Sequence, residues 1–170
     1  GMKPVRFVEM GCPAVDKGAN QPNLFYDPKS SESALPHFSD GSRDVVIQRR
    51  AIEAFHAHWS DEANNPASGG YDGRMVPADG IGLWSWDARP YPAFPAREDA
   101  WGDAENWRLG HWLNGRVGIA LLPDVAADVC ARAGAEADTA PLSGIVTGYR
   151  FDGPVSARSV LEPLAAIYGI

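Results

Sequence analysis

The sequence predicts an α+β protein: an incomplete α/β-barrel segment of two β/α units, followed by a small helix–strand–helix domain. Three observations carry this. Two short apolar runs, Pro4–Gly11 and Ile81–Trp86, are rich in β-branched and aromatic residues, as buried strands are. An amphipathic helical pattern lies between them. After Val117 the composition changes, with no tryptophan and abundant alanine, which divides the chain into domains over residues 2–116 and 117–170.

The elements follow in order. Val5, Phe7 and Val8 form the first strand pattern, closed by Gly11 and Pro13. From Cys12 to Gly41 the chain is rich in Pro, Asn, Ser and Asp without a period. A connection of that length is usually functional or clamped onto its neighbours. Ser42 is expected to cap a helix running to Trp59, with Val45, Ile52, Phe55 and Trp59 at helical spacing. Asp61–Gly80 carries the turn signals Asn65-Pro66, Gly69-Gly70 and Asp72-Gly73. The second strand, Ile81–Trp86, runs into Asp87-Ala88-Arg89-Pro90. A short helix is expected over Asp103–Asn114, stopped by Gly115. Pro123 begins a helix through Ala133, ended by Gly134. Ile145–Phe151 reads as a strand, and Ser156 caps a last helix to about Tyr168.

Bulk properties narrow the function. The 170 residues suit one domain or two small ones, and 45% hydrophobic with 22% charged residues is ordinary for a globular chain. A formal charge of −7 argues against nucleic-acid binding, which needs a basic face, and against attraction to anionic lipid. No apolar run approaches the roughly 18 residues that would span a bilayer, so no membrane insertion is expected, and no charged-then-apolar leader is visible. Gly1 before Met2 reads as a residue left by tag removal. Cys12 and Cys130 read as buried free thiols rather than a disulfide. No CxxC or HxxxH pair is present, and His56 and His58 face different directions on a helix. No metal or cofactor is expected.

Two clusters could carry chemistry. Glu9 stands near the C-terminal end of a strand, the placement by which barrel enzymes aim residues into the active mouth. The plainer alternative is a glutamate paired with an arginine or capping a loop amide. The second cluster is Trp84, Trp86, Asp87, Arg89 and Tyr91. Strand alternation would put the two tryptophans on one face, and aromatic faces beside charged groups suit sugar rings. Tryptophans of this number can equally be core. Retaining glycosidases need two carboxylates about 5–5.5 Å apart. In the pattern of the large barrel clan of such enzymes, which the order of elements here resembles, Glu9 would occupy the late nucleophile position. Asp87 could be a second carboxylate but lies at the wrong strand for that pattern.

Longer runs carry a closer likeness: FVEMGCPAVDKGANQPN (Phe7 to Asn23), DPKSSESALPHFS (Asp27 to Ser39), GRMV (Gly73 to Val76), LWSWDARPYPAFP (Leu83 to Pro95) and NWRLGHWLNGR (Asn106 to Arg116). Together they resemble the glycoside-hydrolase-like TIM-barrel region of the host-specificity protein of gene transfer agents and related tailed phages. Asp124–Gly134 and Gly153–Gly169 resemble the start of the tail-hub region that follows that barrel. The resemblance implies a structural component of a tail tip or baseplate, made in the bacterial cytoplasm and resident in the particle tail. Its partners would be other tail and baseplate proteins and host-surface glycan.

A barrel of this type needs about 250 residues, so this chain would hold only its last quarter and the beginning of the hub. That expectation fits a shortened gene, a deliberately cut piece, or a chain that pairs with another. Two β/α units cannot close a sheet, so self-association through exposed edges is expected. The leading reading is a structural fragment without catalysis in isolation. A glycosidase with Glu9 as nucleophile, and a non-hydrolytic carbohydrate surface on Trp84, Trp86 and Tyr91, are the alternatives.

Overall fold

The longest element is α1 (Ile47–Ser60), whose aromatic stripe is set by i, i+4 spacing. In the computed structural model, which describes residues 2–151 and 153–170, the chain divides into two units, Gly1–Val117 and Gly118–Ile170. The described residues are mostly helical, with a small sheet of two antiparallel strands.

In the first unit, α1 begins five residues later than Ser42. Asp44 supplies the cap, its Oδ1 accepting from the amides of Val46 at 3.0 Å and Ile47 at 3.1 Å. Asp44 outcompetes Ser42 because its carboxylate also meets the positive end of the helix dipole. Phe55 and Trp59 pack on Phe7, with ring centroids 4.9 and 5.3 Å away. On another face Gln48 is buried, and its amide donates to the carbonyls of Cys12 and Gly110 at 2.9 and 3.2 Å. One side chain thereby ties the helix to two loops.

The two expected barrel strands are corrected. Pro4–Gly11 and Ile81–Trp86 do lie side by side and parallel, but they share a single bridge, Phe7 to Ile81, and neither forms a strand. Nor is the first run buried: Val5 is 48% and Val8 82% exposed. Parallel strands are stable when both faces are covered and both edges paired. Here the pairing is on one side, so the ladder stops at one bridge.

The loops are held by specific polar groups. Buried Asn65 donates to the carbonyls of Trp59 and Val76, both at 2.7 Å, and accepts from the Val76 amide at 2.9 Å. That closes Asp61–Gly80 into a fixed arc. A short turn, α2 (Ala93–Ala96), kinks at Phe94. The helix expected over Asp103–Asn114 shrinks to one turn, α3 (Glu105–Arg108). Gly110 and Trp112 both take positive φ, which a helix forbids. Phe94, Ala104 and Trp107 form a core there, flanked by Trp101 and Trp112.

The second unit pairs β1 (Ala120–Leu121) with β2 (Ile145–Val146), and packs α4 (Leu122–Arg132) and α5 (Ala157–Tyr168) on them around Leu122, Val146 and Leu164. Pro123 sits in the first turn of α4, where its missing N–H costs nothing. Ser156 caps α5, accepting from the Ser159 amide at 3.1 Å, and Gly169 ends it in the left-handed region. The strand expected over Ile145–Phe151 is only two residues long. Cys12 and Cys130 are free thiols, but only Cys12 is fully buried.

Candidate functional site

The bridge at Phe7 sets up the site. The Phe7 amide donates to the Gly80 carbonyl at 2.9 Å, Gly82 donates back to Phe7 at 2.7 Å, and Trp84 donates to Met10 at 2.9 Å. Gly11 then passes so close to Trp84 that a Cβ on it would lie 1.6 Å from the Trp84 carbonyl oxygen. Only glycine permits that approach. The effect is to bring Glu9 and Trp84, distant in sequence, to the wall of one hollow. The Trp84–Ser85 peptide is cis.

The hollow encloses about 760 Å³, within the range of small-ligand sites. Besides Phe7–Cys12 and Trp84, its walls come from the Ala19–Asn23 loop and one stripe of α1, namely Ala51, Ala54, Phe55 and His58. The lining is mainly apolar. Its side-chain polar groups are those of Glu9, Asn23 and His58, with the Cys12 thiol and the Trp84 indole N–H, and Glu9 is its one carboxylate among the described residues. Glu9 is exposed, not sunk at the end of a buried strand, and among the described residues its carboxylate has no hydrogen bond or ion pair. Cys12 also touches the hollow, but burial, with Asp44 nearby, pushes its thiol up to about 12. It is no nucleophile at neutral pH.

The second candidate cluster does not converge on this hollow as a group. Trp84 lines it and packs edge-to-face on Phe25 with centroids 4.5 Å apart. Trp86 is 58% exposed and outside the lining. Asp87 and Arg89 are partners of each other: Arg89 Nε donates to Asp87 Oδ2 at 2.8 Å. The same guanidinium forks onto Asp103 at 2.6 and 3.0 Å and lies 3.7 Å over the Phe94 ring. Those bonds hold the Asp87 and Asp103 carboxyls below the usual carboxylate range and raise Arg89. A carboxylate so held is a poor general acid, so the trio is a brace. Tyr91 stacks on Trp107, centroids 6.1 Å apart.

Arg116 is a further brace that sequence reasoning passed over. It is fully buried and donates to the carbonyls of His111 at 2.5 Å, Trp112 at 2.9 Å and Trp107, with its guanidinium 3.8 Å over the Trp107 ring. Burial, aided by the Arg43 charge, pulls it down to about 9, so it stays protonated at neutral pH. Asn23 and His58 were also missed. The His58 signal was available, since Ala51, Ala54, Phe55 and His58 fall at i, i+3, i+4 and i+7 on one helix stripe.

Comparison with known proteins places the first half of the chain. Residues 1–95 match the family model described as the GTA TIM-barrel-like domain. That span contains Glu9, the whole of α1 and Trp84, and so every wall of the hollow. None of the curated proteins compared matches the chain.

Proposed function

We propose that this chain, which belongs to the GTA TIM-barrel-like domain family, acts as a structural module of a gene transfer agent or phage tail tip. In that role it would help the particle recognise host-surface glycan, without hydrolysis by the chain alone. The observation that carries this reading is the composition of the hollow inside the family-matched region. Among the described residues it combines aromatic walls with a carboxylate that has no hydrogen bond or ion pair, as sugar sites do, and presents no second carboxylate of the kind acid/base hydrolysis needs. Asp87, the other carboxylate weighed for that role, is engaged by Arg89.

Other tail and baseplate proteins are the natural partners, and the exposed Val5 and Val8 beside a singly paired edge support association with a further copy or barrel segment. Light scattering over a concentration series should then show species larger than the monomer. Two measurements test the main reading. A tagged chain expressed in a producing cell should co-purify with particle tails; its exclusion from particles would defeat the structural role. Incubation with activated aryl glycosides should give no turnover. Turnover abolished by Glu9→Gln would instead establish the second reading, a glycosidase with Glu9 as nucleophile.

A further inference from the structure

The hollow has a charge pattern that narrows its ligand. Glu9 is the one fixed charge of its lining among the described residues, which include no lysine or arginine there. The carboxylate is exposed and, among the described residues, has no hydrogen bond or ion pair, so a ligand meets it without first breaking a bond. The rings of Phe7, Phe55 and Trp84 line the same hollow, with Phe7 and Phe55 edge-to-face at 4.9 Å. Aromatic faces attract cations through their quadrupole, and they also accept the CH face of a sugar ring. Asn23 offers a neutral amide for ring hydroxyls. An anionic sugar would be repelled by Glu9, the one fixed charge of the wall, with the His58 imidazole the one group of the described lining able to offset it. The net charge of −7 adds to that bias and draws cations in.

We propose that this hollow binds amine-bearing sugar units, the ammonium on the Glu9 carboxylate and the ring against Trp84 and Phe55. The proposal rests on the host-glycan reading and specifies its chemical class.

Calorimetric titration of the full chain, at one pH and ionic strength at which the amine is charged, separates the two. The probes are a glucosamine tetramer, its fully N-acetylated counterpart and a glucuronate tetramer, each against wild type and Glu9→Gln. Glu9 is a surface residue, so the variant should fold, and circular dichroism verifies this. Wild type is expected to bind the glucosamine tetramer at least about tenfold more tightly than the other two, the scale of one charged hydrogen bond. Glu9→Gln should erase that advantage. Equal affinity for the amine and acetylated probes, or an advantage that survives Glu9→Gln, overturns the amine assignment and leaves glycan recognition standing. Wild type that binds none of the three overturns both.

Discussion

Replacing Gly11 with alanine should loosen the contact on which the hollow depends. The new Cβ would sit 1.6 Å from the Trp84 carbonyl oxygen and 2.8 Å from its carbon, where contacts under 3.0 Å essentially never occur. Both obstacles are backbone, so neither can swing away as a side chain would. The segments must part by about 1.4 Å, the difference between 3.0 and 1.6 Å. A shift of that size stretches the 2.9 Å bond from the Trp84 amide to Met10 to roughly 4.3 Å, beyond hydrogen-bonding range. Losing that bond costs about 1 kcal/mol, and the overpacking itself about 1–3 kcal/mol. A net loss of about 2–4 kcal/mol is therefore expected. All six tryptophans precede Val117, so urea unfolding followed by tryptophan fluorescence reports the first unit alone. Gly69→Ala is the control, since nothing lies within 4 Å of its added Cβ, and it should stay within about 0.5 kcal/mol of wild type. If Gly11→Ala unfolds at the same urea concentration as this control, the close approach is not a constraint and the account of the site fails.

Three further outcomes are expected. Arg116→Met leaves the carbonyls of Trp107, His111 and Trp112 without their buried donor and should cost about 3 kcal/mol or more; a loss below about 1 kcal/mol in the same urea assay would contradict its bracing role. Under native conditions a thiol reagent should modify Cys130 quickly and Cys12 only on unfolding, because burial pushes the Cys12 thiol up to about 12; two equally fast thiols would argue against the placement of Cys12. Asp87→Asn should lower stability by about 1–2 kcal/mol at neutral pH. Since Arg89 depresses the folded Asp87 carboxyl, its stabilisation is present above the ordinary carboxylate range and lost as pH falls through the lowered folded value. The gap between wild type and Asp87→Asn should accordingly close on acidification, and a gap independent of pH would show that the ion pair is not its source.

What the sequence determined by itself was local. The Ser156 cap and the Gly169 stop of α5, the placement of Pro123 in the first turn of α4, and the aromatic stripe of α1 all depend on groups within about four residues. The likeness of Phe7–Asn23 and Leu83–Pro95 to a barrel region was also legible, and the family match over residues 1–95 agrees with it. Tertiary structure decided the rest. Parallel pairing depends on distant neighbours, so two strand-like runs became one bridge, and Val8 turned outward. Asp87 and Arg89 looked like site residues until Asp103, sixteen positions beyond Asp87, locked them into a brace. Glu9 joined Trp84 and His58 only because Gly11 lets two backbones nearly touch. No local spacing encodes that meeting, since its physical cause is the absence of a side chain at one position opposite a carbonyl brought from far along the chain.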